Sequence, residues 1–296
     1  MMWLTKTLAA ALILLGTVAG SAAQDRPQVM TVNYALQFLA ERLVGDSADV
    51  VFPVPDGTDP SFWRPKISDI SKIQAAKLVL LNGAGFATWI DRVSLSRSKL
   101  VNTSAAIKDR FIVTKSITHS HGDGGEHSHE GLASYTWLDP QLAIAQAEAI
   151  AKAVTRRRLA SKEEAESRLA KLRADLEALD TNTEQTLSGA KGVAMIATHP
   201  RYQYLARRYG LTIDSLEWEA GEAPSAEQLA DLKGRIEKSG ARVLIWEAAP
   251  PASAIDATNA LGVKSVVFSP LAQKAPSGTF IDAYSAAVAD LAEAAK

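Results

Sequence analysis

The sequence predicts an α/β protein of two parallel-sheet lobes joined by one long helix, and three observations carry that expectation. Short β-branched runs alternate with helical stretches through the first half, the same order repeats through the second half, and a charged, leucine-striped segment lies between them. With 296 residues and 47% apolar side chains, the chain is long enough to bury a core in each lobe.

The elements follow in order. "MMWLTKTLAAALILLGTVAGSAA", residues 1–23, has one lysine, a short apolar stretch and small residues with Ser21 and Ala23 where a signal peptidase would inspect them. It reads as a secretory signal, too short to be a convincing membrane span. A first lobe is expected over 24–155, with "QVMTV", "ADVVFPV", "KLVLLNG" and "RFIVTK" as strands. A second lobe is expected over 191–296, with "GVAMIAT", "LTIDSLEW", "RVLIWEA" and "KSVVFSP" as strands. Helical periodicity in "LQFLAERLVG" and "SAEQLADLKGRIEKSG" ends on glycine, the usual stop signal.

Between the lobes, 156–190 is expected to form a linking backbone helix. Ser161 and Glu164 make a capping box, and Leu169, Leu172, Leu176 and Leu179 set an apolar stripe on a charged segment. The 27 residues from Ser161 to Leu187 would span about 40 Å, enough to run along both lobes as a stiff linker. An ordinary surface helix or a short coiled-coil seam would show the same stripe.

Charge and cysteine content narrow the function classes. Beyond residue 23 there are 31 basic and 33 acidic side chains, so nothing suggests a nucleic-acid or anionic-membrane partner. There is no cysteine, so the fold must rest on its core even in an oxidising compartment, and the usual acceptor for a lipid anchor is missing. Together with the signal, this predicts a soluble periplasmic protein.

The segment "ITHSHGDGGEHSHEG", residues 117–131, holds four of the five histidines. Its glycine, serine and acidic residues offer no apolar face, so it is expected to be a polar surface loop. His119, His121, His127 and His129, with Asp123 and Glu126, could wrap one or two divalent transition-metal ions, because neutral imidazole is a common ligand for them. The plain alternative is a solvated loop with incidental histidines.

"VVFPVPDGTDPSFWRPKISDI", "KLVLLNGAGFATWIDRV", "YTWLDPQLAIAQAEAIA", "ATHPRYQYLARRYGL" and "APSAEQLADLKGRIEKSGARVLIWE" resemble, in order, successive signature blocks of the ZnuA or TroA-like family. These are the zinc- and manganese-binding proteins of metal ABC importers, and the similarity runs through essentially all of the chain beyond the signal. The resemblance implies two α/β lobes on a rigid helix, a metal in the cleft between them, and an inner-membrane ABC permease as partner. It also implies a histidine-rich acidic loop before the "WLDP" block in zinc members.

The ligand set implied by the family is kept only in part. Ser61 stands where the family usually has a histidine, Tyr135 stands at a second histidine position, and Ser269 replaces a usual aspartate. His199 of "THPRYQY" is retained, after a strand, where open α/β sheets place ligands. A serine hydroxyl substitutes poorly for a zinc ligand, and His199 alone would hold a divalent ion weakly.

Two routes could restore a site. Two of the loop histidines could join His199 and Glu247, a set suited to Zn2+. Alternatively Tyr135 could ligate with His199 and a carboxylate, favouring iron or a chelated metal, with Ser61, Trp63 and Arg64 facing a bulkier ligand; manganese is the family's other ion. No nucleophile elbow, zinc-protease helix or phosphate loop is present, so His199, Asp139 and Glu247 are not read as an enzyme's residues. The expectation is therefore a monomeric periplasmic solute-binding protein for zinc, with a histidine-loop metal buffer as a further alternative.

Overall fold

The computed structural model describes residues 26–114 and 131–296. The signal segment and the histidines at 119, 121, 127 and 129 lie outside the described residues.

The first sheet is fully parallel. Strand β1 (Gln28–Thr31) leads into helix α1 (Tyr34–Val44), then β2 (Asp49–Val51), α2 (Ile67–Ala75), β3 (Leu78–Leu81) and β4 (Leu100–Asn102), in the order β2-β1-β3-β4. Val29 lies opposite Val50 on one side and Leu78 on the other. The inner strands are buried on both faces, which is why they read as continuous apolar runs rather than alternating ones. Asn33 starts α1 by accepting from the Leu36 amide at 2.8 Å, as an N-cap does.

"RFIVTK" was expected to add a strand to this sheet. Only β5 (Val113–Thr114) forms there, antiparallel to β6 (Gly131–Leu132), so the chain pairs with its own return. The edge of the main sheet belongs instead to β4, a strand of three residues that sequence pattern did not single out.

Helix α3 (Pro140–Arg156) begins with Asp139 capping the Gln141 amide at 2.9 Å and proline in the first turn. Helix α4 (Lys162–Thr186) has the capping box expected at Ser161 and Glu164, and its 25 residues span about 37 Å. Leu172, Leu176 and Leu179 are buried and Leu169 is partly so, so the leucine stripe is the face that packs on the body of the protein.

The second sheet repeats the first: β7 (Ala194–Ala197), α5 (Gln203–Tyr209), β8 (Thr212–Ser215), α6 (Ala226–Ser239), β9 (Val243–Trp246), α7 (Ala252–Asn259) and β10 (Lys264–Val267), ordered β10-β9-β7-β8 and all parallel. Gly240, at φ 67°, closes α6 in the left-handed conformation that glycine takes without strain. The last helix, α8 (Phe280–Ala294), crosses back to the first lobe, where Phe280 stacks on Phe38 at 5.2 Å. One apolar core therefore runs from Val29 and Leu39 through Leu176 to Phe268 and Leu291. Among the described residues, no helix is long and apolar enough to cross a membrane.

Candidate functional site

The carboxyl ends of β7 and β9 lie side by side, since the two strands pair in parallel with Ile196 opposite Leu244 and Ala197 opposite Ile245. The chain leaving β7 is tied to β9 by Thr198, whose amide donates to the Ile245 carbonyl at 2.8 Å and whose hydroxyl accepts from the Glu247 amide at 3.3 Å. That register brings the next side chains together: His199 Nδ1 is 3.3 Å from Glu247 Oε2. Both are largely buried.

The facing wall comes from the first lobe. Asp59 and Ser61 sit on the segment between β2 and α2, where the Ser61 amide donates to Asp59 Oδ1 at 2.8 Å. The Trp89 indole donates to the Pro60 carbonyl at 3.0 Å, and Trp63 packs edge-on to Trp89 at 5.0 Å. Trp63 is thus part of the core, while Arg64 is exposed.

Tyr135 is fixed from behind. Gln146 on α3 donates to Asn82 Oδ1 at 3.0 Å and to Thr103 Oγ1 at 2.9 Å, and it accepts from Thr136 Oγ1 at 3.2 Å. Asn82 in turn donates to the Ser134 carbonyl at 2.8 Å. This buried network holds 134–136 against the ends of β3 and β4, and Tyr135 packs between Phe86 and Trp137 with its hydroxyl beside Ser61.

Arg201 joins the two walls. It follows His199 by two residues, in a turn closed by its amide on the His199 carbonyl at 2.9 Å. Its Nε donates to both Glu247 oxygens at 3.2 Å, its Nη2 donates to Asp59 Oδ2 at 2.8 Å, and its Cζ stands 4.7 Å from the centre of the Tyr135 ring. Only 7% of Arg201 is exposed, so a whole guanidinium is enclosed by two carboxylates and an aromatic face.

Burial shapes the charge states here. It works against the Arg201 cation, while the neighbouring Glu247 and Asp59 carboxylates and the hydrogen bonds to Glu247 favour it, and the guanidinium stays charged. Burial pushes the Glu247 carboxyl above its ordinary range, with Arg201 opposing and Asp59 adding to the rise. Burial also drives the Tyr135 phenol far above its ordinary value despite Arg201, so the neutral phenol is the stable form.

The structure thus brings together His199, Glu247, Tyr135 and Ser61 of the residues that the sequence pointed to. Ser269 is exposed and accepts from the Leu271 amide at 3.3 Å, outside this set of contacts. Asp139 is the α3 cap. Sequence reasoning missed Asp59 and Arg201, although each lies two residues from a family ligand position, Ser61 and His199. Among the described residues, no group of three or more His, Cys, Asp or Glu side chains is placed to hold a metal ion.

Comparison with known proteins agrees with this architecture. The family model described as "Zinc-uptake complex component A periplasmic" matches residues 29–294. The zinc-binding lipoprotein AdcA of Streptococcus pneumoniae serotype 4 is 29% identical over 257 residues, covering 84% of this chain and 51% of that protein, so the chain spans about half the length of that relative. The high-affinity zinc uptake system protein ZnuA of Bacillus subtilis is 26% identical over 260 residues, covering 83% of this chain and 79% of its own. Among solved structures, the metal-dependent lipoprotein YcdH of Bacillus subtilis superposes with a TM-score of 0.75 at 23% identity, over 90% of this chain and 98% of that one. Two parallel sheets on one backbone helix, with polar side chains converging at the strand ends and a family match across nearly the whole described chain, make this protein a member of the periplasmic zinc-uptake component A family.

Proposed function

We propose that the chain is the periplasmic solute-binding component of an ABC importer, with zinc as its cargo and an inner-membrane permease, docking on the outer faces of both lobes, as its partner. The observation that carries this reading is the two-lobed architecture of a family member, with polar side chains converging where the two parallel sheets end. The role is binding and delivery, without catalysis, by a soluble monomer that carries no lipid anchor.

The ligand chemistry supports zinc over iron. His119, His121, His127 and His129 supply imidazole, the donor type zinc prefers. Iron through Tyr135 would call for a mainly oxygen donor set, which this imidazole-rich sequence does not match.

The test is made on cells and on the protein. Cells lacking the chain should grow poorly once zinc is chelated and recover when the chain is returned, and the purified mature protein should bind Zn2+ in titration calorimetry. Growth indifferent to zinc, with no zinc bound by the full chain, overturns the proposal.

A further inference from the structure

We infer that Arg201 is the specificity-determining residue of the cleft: its guanidinium stands in the place of the cargo cation between Glu247 and Asp59, so the cleft takes no bare divalent ion. The inference rests on reading this cleft as the family's cargo site, and it adds that the site carries its own built-in cation.

Three observations support it. Ser61, Tyr135 and His199, the positions where the resemblance places ligands, all lie around Arg201 or its carboxylate partners, with Ser61 beside the Tyr135 hydroxyl. The guanidinium bridges the walls as an ion would, with Asp59 from the first lobe at 2.8 Å and Glu247 from the second at 3.2 Å. Both Glu247 oxygens accept from Arg201 Nε, so a metal ion arriving beside His199 meets a carboxylate already bonded to a fixed positive charge.

Chemistry opposes displacement of Arg201. A guanidinium keeps its charge at every physiological pH, and this one is enclosed, so releasing Glu247 would leave a cation facing an aromatic ring and a single carboxylate. A bare divalent ion would have to coordinate His199 and Glu247 next to that cation. The ion and the guanidinium are alternatives for the same carboxylates.

Removing the guanidinium should convert the cleft. Arg201→Met keeps an unbranched apolar stem and frees the Glu247 carboxylate beside His199, a two-ligand pair whose remaining zinc positions water would fill. In zinc titration of the mature full chain, Arg201→Met is expected to bind one more equivalent than wild type. Adding His199→Ala or Glu247→Gln to Arg201→Met should remove that extra equivalent. Arg201→Gln, which is polar and uncharged, provides a second variant if the methionine protein does not fold, as judged by circular dichroism.

A wild-type measurement needs no variant to fold. Crystals of the full chain soaked in Zn2+ should show no zinc-edge anomalous peak within about 2.5 Å of His199 or Glu247. A peak there overturns the inference, as does a folded Arg201 variant that gains no ion or whose extra ion survives loss of His199. These outcomes concern the cleft alone; the importer reading falls only if cells show no dependence on the chain for zinc.

Discussion

Asp180, in the last third of α4, is gripped by Arg208 of α5: Arg208 Nε donates to Asp180 Oδ1 at 2.8 Å while Nη2 donates to Oδ2. Gln141 Nε2 and the Tyr209 hydroxyl donate to the same carboxylate at 2.8 and 3.0 Å. One buried acid on the backbone helix thus ties α3 of the first lobe to α5 of the second.

Asp180→Asn should cost about 2 kcal/mol, the scale of charged hydrogen bonds with one partner partly open to water. Burial pushes the Asp180 carboxyl upward, but the bonds from Arg208, Gln141 and Tyr209 outweigh it and hold it below its ordinary range. A depressed carboxylate contributes stability above its unfolded pKa and loses it as pH falls through the folded value, so the loss should appear below about pH 4. Urea unfolding at a series of pH values should show this acid loss in wild type and its absence in the asparagine variant.

Gln146→Leu should destabilise by about 1–3 kcal/mol, because Asn82 and Thr136 lose a partner where water does not reach. The network also seats Tyr135, so the tryptophan fluorescence of the Phe86, Tyr135 and Trp137 cluster should change in the folded variant. A variant as stable as wild type would remove this network from the account of how the cleft wall is held.

Gly83 sits at φ +77°, and a Cβ there would lie 2.2 Å from Ser104 Oγ and 2.3 Å from Asn102 Oδ1. Gly83→Ala therefore combines an unfavourable backbone with a clash, at a cost of about 1–3 kcal/mol. Thermal unfolding should show a lowered midpoint, whereas Gly85→Ala, with φ +75° but open space around it, should cost less.

Replacing His119, His121, His127 and His129 by asparagine should lower the number of zinc ions bound, with unfolding unchanged. Zinc binding by the wild-type chain should weaken as pH falls through about 6.5, because protons compete for imidazole nitrogen. Titration calorimetry at pH 7.5 and 5.5 checks both, and affinity unchanged at the lower pH would point to oxygen ligands.

Much of the fold was legible because the signals were local. "VAMIAT" and "VLIWEA" are apolar runs bounded by turn residues, and they became β7 and β9; Ser161 and Glu164 marked the start of α4 in the text alone. β4 was hidden because "LVN" is a strand only by virtue of lying beside β3, a tertiary fact. At the site, His199 was legible through the family resemblance, at a ligand position that follows an apolar strand, and Glu247 as a carboxylate at the end of another. Arg201 was not, since its partners lie 46 and 142 residues away and only the meeting of the two lobes makes it central.

The placement of α8 has a consequence for the order in which this chain can fold. Phe280 covers Phe38 and stands 6.2 Å from Tyr34, so helix α1, among the first elements made, has its apolar side completed by one of the last. The apolar side of the first lobe is thus completed only by residues near the far end of the chain, and a nascent chain shorter than 280 residues would leave that aromatic surface open to water.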